Sequence, residues 1–209
     1  GTSRAVDRFD PKKGTFTHYI IDELFNYPGG RENFASVSTI YEDKKGDLWV
    51  GWVSPANVKN DTVGGLARLD KKTGKFIQYK HQPGNANSLA SNGVFAIYED
   101  SKNNLWIGTA GNGLQILDRA TGKFSNYLFD TANPEKLSAP PSGLSPNGFL
   151  SFITEDEKGR LWIGSSNGGI NMFDPVQQRT VHYGLVGGEH LNRYAKDTLS
   201  GFTDSAAIR

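Results

Sequence analysis

Adjacent carboxylates recur in this chain, each time at the end of a short apolar run. They are Glu42-Asp43, Glu99-Asp100 and Glu155-Asp156. Two carboxylates can share acid–base chemistry, as in glycoside hydrolysis, where one donates a proton while the other attacks or activates water. Neighbours on a strand, however, point to opposite faces of a sheet. The threefold recurrence favours a structural role, in which the Asp caps a turn through nearby backbone amides and the Glu ends the strand.

The turns that follow these pairs are rich in Asp and Asn, which are common calcium ligands. In the turn at 100–104, a lysine stands in the middle and no Glu follows at the spacing of a calcium loop. The chain has 0 Cys, which excludes thiolate metal sites and a disulfide framework. The sequence therefore predicts no metal site and no cofactor.

Each carboxylate pair belongs to a longer module that recurs along the chain. The clearest copy spans 94–127, and further copies span 37–79 and 149–183. Within 94–127, four short runs rich in β-branched and aromatic residues are separated by turns of Asp, Asn, Lys and Gly. We predict strands at 94–99, 105–109, 113–117 and 124–127.

The second strand of each module is apolar on both faces. Leu105 and Ile107 point one way and Trp106 points the other, so a sheet built on this strand must be covered on both sides. A four-stranded repeat that cannot bury itself alone is typical of a β-propeller, whose closure also protects strand edges. We predict an all-β propeller of four-stranded antiparallel blades, with Trp49, Trp106 and Trp162 as the blade cores.

Partial modules extend this array at both ends. Residues 1–19 match the outer strands of a split blade, and 204–209 resemble the first strand of a further blade. We therefore expect three whole blades and two partial ones, as a segment of a larger ring. A small closed four-bladed ring, or an assembly of chains, is the alternative.

Composition excludes several function classes. The 209 residues carry 23 basic and 22 acidic side chains, so no strong field would attract nucleic acid or an anionic membrane. The chain contains 25 Gly, as expected for a turn-rich β protein. We identify no signal peptide and no apolar run long enough to insert into a membrane.

The two faces of the predicted blades differ in loop length. On one face, the turns between the first and second strands and between the third and fourth strands are short, and we call it the tight-turn face. The other, the long-loop face, carries the connections between blades and an insertion, at 20–36, 80–93, 128–148, 184–203 and 52–63. Long loops on a rigid scaffold commonly bind ligands, so we expect the binding site there.

Trp52 is the first candidate for ligand contact, because Thr109 and Ser165 fill its position in the other modules. Its ring could be a platform for a sugar or a partner side chain, or it could anchor its own loop by burial. The remaining candidates are aromatic or amide side chains in loops of the same face, namely Tyr27, Phe34, Asn57, Asn60 and Tyr194.

The module resembles the two-component regulator propeller repeat. The resemblance rests on the strings Leu-Trp-Ile-Gly at 105–108 and Thr-Gly-Lys-Phe at 121–124, with the segment 81–89 before them. In that family, the blades form seven-bladed propellers in the periplasmic sensor regions of bacterial hybrid histidine kinases, many of which respond to polysaccharide fragments. The resemblance implies a seven-bladed parent ring, a periplasmic or extracellular location in bacteria, and signal transduction by ligand binding without catalysis.

Two other functions stay open at this point. The blades could be a protein–protein scaffold in a secreted or cell-surface complex, or they could belong to a propeller lyase or glycosidase. An enzyme would need a His or carboxylate cluster that departs from the repeat, and we find none in the sequence. The expected partners are a carbohydrate or other small molecule, the remainder of a larger propeller or receptor chain, and a second copy through self-association.

Overall fold

The computed structural model describes residues 5–20, 36–53, 64–111, 113–127, 149–166 and 169–183. These ranges contain β-strands and no helix. The strands are β1 (Ala5–Asp10), β2 (Thr15–Ile20), β3 (Ser36–Glu42), β4 (Leu48–Val53), β5 (Gly64–Asp70), β6 (Lys75–Tyr79), β7 (Val94–Glu99), β8 (Leu105–Thr109), β9 (Leu114–Asp118), β10 (Lys123–Tyr127), β11 (Leu150–Glu155), β12 (Leu161–Ser165), β13 (Gly169–Asp174) and β14 (Arg179–Tyr183).

The strands pair in sequence order to form antiparallel sheets. β1 and β2 form a two-stranded sheet, and the other strands form three four-stranded meanders. We call these the first blade (β3–β6), the second blade (β7–β10) and the third blade (β11–β14). The predicted all-β fold of four-stranded antiparallel blades is thereby confirmed. In the second blade, the first two strands have the predicted bounds, while the third begins and ends one residue later and the fourth begins one residue earlier.

Adjacent blades stack face to face through the two apolar sides of each second strand. Leu105 and Ile107 pack with Trp49 of the first blade, whereas Trp106 packs with Leu150 of the third blade. A third apolar cluster joins the two-stranded sheet to the first blade. Each sheet between two others is therefore covered on both faces, as the pattern of its second strand requires.

Aromatic contacts hold these interfaces together. Within the first blade, the rings of Trp49 and Tyr79 lie 5.9 Å apart, and Tyr79 meets Phe124 of the second blade edge-on at 6.0 Å. Trp106 meets Phe173 of the third blade in the same manner. Trp49 and Trp106 are buried, with 0% and 1% of their surface exposed. Trp162 is half-buried and stacks on Tyr183 of its own blade.

In the first and second blades, the glycine that ends the Leu-Trp-Ile/Val-Gly string admits the first strand of the next blade. A Cβ atom at Gly108 would lie 2.9 Å from the Cβ of Leu150, and one at Gly51 would lie 2.8 Å from a methyl group of Val94. The first strand β7 also contacts both β3 and β11 directly. Because the sheets of a propeller surround a central axis, these closely spaced first strands form the inner side of the array.

The partial blades that we expect at the two ends are described only in part. The two-stranded sheet β1–β2 covers 5–20. The expected strand at 204–209 and the residues 1–4 lie outside the described residues. The number of blades in the parent ring stays a prediction.

Candidate functional site

In each carboxylate pair on the tight-turn face, the Asp caps the turn that follows it. In the second blade, Oδ1 of Asp100 accepts hydrogen bonds from the amides of Lys102 (2.9 Å) and Asn104 (2.7 Å). Its Oδ2 accepts one from the indole Nε1 of Trp106 at 2.8 Å. The same set of amide and indole bonds recurs around Asp43 and Asp156. The predicted capping role is confirmed, and each Asp also ties its turn to the core Trp.

Two of these Asp residues are held in the ionised form. Burial alone would raise the pKa of Asp43, but hydrogen bonds from the Trp49 indole, the Asp47 amide and Arg119 outweigh burial and lower that pKa. The pKa of Asp156 is lowered in the same way, chiefly by Arg160 and Trp162 against the effect of burial. A carboxylate that stays ionised at neutral pH cannot donate a proton as a general acid.

The Glu of the pair in the second and third blades reaches into the turn of the preceding blade. Oε2 of Glu99 accepts a hydrogen bond from the amide of Lys44 at 2.6 Å. In the third blade, Glu155 accepts one from the amide of Ser101 at 2.7 Å and another from its hydroxyl at 2.8 Å. Glu99 and Glu155 therefore join neighbouring blades.

Arg119 adds a second tie between the first and second blades. Its guanidinium contacts Oδ2 of Asp43 at 2.7 Å and Oε1 of Glu99 at 2.6 Å, and both carboxylate side chains are 0% exposed. The corresponding residues in the other blades are Lys71, which is exposed, and Pro175. The carboxylates of this junction are therefore occupied by the protein's own groups.

The long-loop face has β-bulges at the inner strands. Pairing of the first and second strands shifts between Val37 and Thr39, and equivalently in the second and third blades, so the bulged residues are Ser38, Phe95 and Ser151. These residues lie where the connections between blades enter the first strand. Bulges re-aim side chains and are frequent beside functional sites.

Only one of these three bulges carries an aromatic ring. The hydroxyl of Ser38 donates to the carbonyl oxygen of Val94, and that of Ser151 donates to the carbonyl oxygen of Gly164 at 3.1 Å. Phe95 cannot make such a bond, and its ring stacks on Phe149 instead, with centroids 4.0 Å apart and an interplanar angle of 16°. Both rings are half-buried. We call these two residues the Phe95–Phe149 pair.

The backbone on both sides holds Phe149 in place. It forms a β-bridge with Ala110 of the second blade. Its amide donates to the hydroxyl of Ser166 at 3.1 Å, and its carbonyl oxygen accepts from the Ser166 amide at 2.9 Å. The aromatic surface is thus fixed before any ligand arrives, which lowers the entropic cost of binding.

The chemistry available at the Phe95–Phe149 pair is apolar contact. Half-buried aromatic rings can pack on the apolar face of a sugar or on another flat or aliphatic group. The pair has no titratable atom. Within the described ranges, no three His, Asp or Glu side chains are grouped closely enough to hold a metal ion.

The structure places Trp52 in the interior. It is 1% exposed, packs with Val6 and Val50, and meets Phe76 edge-on at 5.7 Å. This position corresponds to the anchoring alternative, because a buried ring offers no surface to a ligand. The other candidates, Tyr27, Phe34, Asn57, Asn60 and Tyr194, lie outside the described residues.

Sequence analysis missed the Phe95–Phe149 pair. A signal was present, because alignment of the modules on their Leu-Trp pairs sets Phe95 against Ser38 and Ser151. The same alignment sets Phe149 against a serine and a glycine. The stacking itself joins residues from two modules, so it depends on how the blades pack.

Nowhere in the described ranges is there a helix of the length and hydropathy that a bilayer-spanning segment requires.

Comparison with solved structures identifies the fold. The extracellular domain of a hybrid two component system, BT3049 of B. thetaiotaomicron, aligns with a TM-score of 0.62 and 24% identity over 90% of this chain and 23% of its own. PorZ, a surface component of the type-IX secretion system of Porphyromonas gingivalis, aligns with a TM-score of 0.54 and 14% identity over 84% of this chain and 24% of its own. A luciferin-regenerating enzyme aligns with a TM-score of 0.52 and 16% identity over 86% of this chain and 56% of its own.

This chain therefore spans less than a quarter of the length of the first two structures. No curated protein sequence matches it. A family model described as "Two component regulator propeller" matches residues 32–51, 88–111 and 143–167. Each matched range includes all or part of a first strand and reaches the second strand of a blade. These three segments are similar to the repeat of that family.

Proposed function

We propose that this chain is a segment of a non-catalytic, ligand-sensing propeller in a periplasmic or extracellular receptor of the two-component type. The Phe95–Phe149 pair contributes to the ligand contact on the long-loop face. One observation carries the proposal: the bulge position holds serine in the first and third blades, whereas in the second blade it holds a half-buried aromatic ring that stacks on a second ring. The ligand class is a carbohydrate, because aromatic faces pack well on the apolar faces of sugar rings.

Two further observations support this proposal. The repeats match a family named for two component regulators, and a solved structure of similar fold is the extracellular domain of a hybrid two component system. The carboxylates of the tight-turn face are engaged in turn caps and ties between blades, so they are unavailable for glycosidase or lyase chemistry. Binding without turnover is the function that these contacts favour.

The test is calorimetric titration of the chain with a panel of neutral and acidic oligosaccharides. Phe95→Ser installs the residue that the other two blades carry, so the bulge keeps a side chain that suits it. We expect at least one oligosaccharide to bind, and Phe95→Ser to weaken that binding by about tenfold or more, the equivalent of ~1.4 kcal/mol. Phe149→Ser is expected to have a similar effect.

Phe152→Ser is the matched control, because Phe152 is an exposed phenylalanine on the same inner strand as Ser151 but outside the pair. It should leave the affinity unchanged. Failure of the whole panel to bind, or full affinity in the Phe95→Ser protein, would contradict the proposal.

A further inference from the structure

The two junctions that join whole blades differ in their polar contacts. We call the contact between the first and second blades the first junction, and the contact between the second and third blades the second junction. At the long-loop end of the first junction, the hydroxyl of Ser38 donates to the carbonyl oxygen of Val94. The equivalent bulge residue at the second junction is Phe95, which has no hydroxyl. One tie of the first junction therefore cannot form at the second.

The charged tie of the first junction also depends on a residue that the third blade replaces. Arg119 contacts Oδ2 of Asp43 at 2.7 Å and Oε1 of Glu99 at 2.6 Å, and both carboxylate side chains are fully buried. The residue at the position of Arg119 in the third blade is Pro175, which carries no charge. Pro175 cannot supply this charged contact at the second junction.

The Glu tie at the tight-turn end is more exposed at the second junction. Glu99, which binds the Lys44 amide at the first junction, is buried. Its equivalent Glu155 is half-buried and binds the exposed Ser101 through the amide (2.7 Å) and the hydroxyl (2.8 Å). A hydrogen bond is stronger in a low-dielectric interior than beside water, so this tie contributes less than its buried equivalent.

An apolar core and one aromatic stack hold the second junction. Trp106 meets Phe173 edge-on at 6.0 Å within this core. At the long-loop end, Phe95 of the second blade stacks on Phe149, which directly precedes the first strand of the third. This stack stands where the first junction has the hydroxyl of Ser38. Its two rings come from the two blades that would have to part if the junction opened.

We propose that the second junction is a hinge, which opens while the first junction stays closed, and that the Phe95–Phe149 pair is its latch. Proteins open locally in cooperative units, and units with fewer buried contacts open at a lower cost in free energy. The hinge itself needs no ligand. Its use in sensing rests on the function proposed above, because a ligand that packs on both rings binds the closed junction and holds it closed.

The test uses a single thiol as a reporter of opening, because the chain has 0 Cys. Leu66→Cys and Leu114→Cys place it at equivalent positions of two third strands, one buried in the first junction and the other in the second. A buried thiol reacts with an aromatic disulfide reagent only when its junction opens. In native buffer without ligand, we expect the thiol at 114 to react about tenfold faster than the thiol at 66, the equivalent of ~1.4 kcal/mol.

Substitutions at the latch and at the position of the charged tie test the hinge directly. In the Leu114→Cys chain, Phe95→Ala should speed labelling by about fivefold, because it removes one ring of the stack. Phe95→Ser should speed labelling less, because its hydroxyl can donate as that of Ser38 does. Pro175→Arg supplies a cation at the position of Arg119 and should slow labelling by about fivefold.

The same substitutions should leave labelling of the Leu66→Cys chain unchanged, and Phe152→Ser, which changes an exposed ring outside the pair, should affect neither thiol. Denaturant unfolding of both thiol variants comes first. If either is unfolded, Thr39→Cys and Ala96→Cys report on the same two junctions.

Equal rates for the two thiols, or faster labelling of both after Phe95→Ala, would mean that the blades open together and would overturn the proposal. Unchanged labelling of the thiol at 114 after Phe95→Ala would overturn the role of the pair as a latch. These rates are measured without ligand, so they are independent of the outcome of the oligosaccharide titration.

Discussion

The two faces of the blades differ in how closely their residues follow the repeat. On the tight-turn face, Asp43, Asp100 and Asp156 make the same bonds to their turn amides and to the core Trp. On the long-loop face, the bulge position changes from serine to phenylalanine and back to serine. The repeated Asp residues therefore hold the turns of every described blade, whereas the bulge position, where the residue type changes, is the surface to which we assign ligand contact.

The Glu-Asp pairs show most clearly that a repeated residue has a structural role. Considered alone, an adjacent Glu and Asp could indicate acid–base catalysis. In the structure, the Asp is surrounded by donors of its own turn, and the Glu at both described junctions binds the turn of the preceding blade. Because these carboxylates are occupied by hydrogen bonds within and between blades, their abundance indicates a structural role.

We expect the largest loss of stability from a substitution of the Trp at the core of a blade. Trp106→Ala removes a buried ring and the indole donor to Asp100, so we expect a loss of ~3–5 kcal/mol in the free energy of unfolding, typical of Trp→Ala in a core. Trp162→Ala is the matched comparison, because the same residue is half-buried there and should cost less. Denaturant unfolding measures both. Equal losses would show that burial between blades does not set the contribution of this Trp.

We expect the next largest loss of stability from removal of Arg119, which joins the first and second blades. Arg119→Met leaves two buried carboxylates without their cation, and breaking a buried pair in this way costs ~3 kcal/mol or more. Lys71→Met changes the equivalent but exposed residue of the first blade and should alter stability by less than ~0.5 kcal/mol. Chemical denaturation of the two variants side by side measures the difference.

Acid titration gives the Arg119→Met variant a second readout. The folded-state pKa of Asp43 is lowered, so its contribution to stability is present above its ordinary value of 3.8 and is lost as pH falls toward the folded value. Without Arg119, Asp43 loses one of the groups that lower its pKa, and unfolding should begin at a higher pH than in the parent chain. Unchanged acid unfolding would mean that Arg119 does not contribute to the ionisation of Asp43.

The smallest effect on stability should come from the long-loop face. Phe95→Ser removes one half-buried ring of a stacked pair, and we expect a loss of about 1–2 kcal/mol, since such pairs add ~0.5–1.5 kcal/mol beyond burial. Thermal unfolding beside Trp106→Ala gives the comparison. A loss as large as that of Trp106→Ala would make the Phe95–Phe149 pair part of the core and remove the contrast between the faces.

The fold could be predicted from sequence because the strand pattern, its two apolar faces and its glycine all indicated stacked sheets. The Leu-Trp-Ile-Gly string at 105–108 predicted a strand. Because both sides of this strand are apolar, it had to lie between stacked sheets. Its Gly108 leaves room for the first strand of the next blade. Strand bounds differed by one residue at Lys123 and Asp118, where the turn between β9 and β10 pairs slightly further than its apolar pattern suggests. Short-range patterns determine these features, so a single sequence is enough to find them.

The candidate site could not be predicted to the same degree. Phe95 and Phe149 are 54 positions apart in the sequence, and the β-bridge between Ala110 and Phe149 that helps to bring them together joins two different blades. Trp52 broke the repeat more visibly, yet its ring turned inward, because the sheet β1–β2 offers it an apolar surface at Val6. Departure from the repeat therefore identified an unusual position without giving the direction of its side chain.

The Glu ties described above also affect how the chain unfolds. Because Glu99 and Glu155 each bind an amide of the preceding blade, loss of one blade leaves an uncapped donor on its neighbour. In repeat proteins, such nearest-neighbour terms set the cooperativity of folding. Amide hydrogens in the turns at Lys44 and Ser101 would then exchange with solvent when the following blade opens, even while their own blade stays folded.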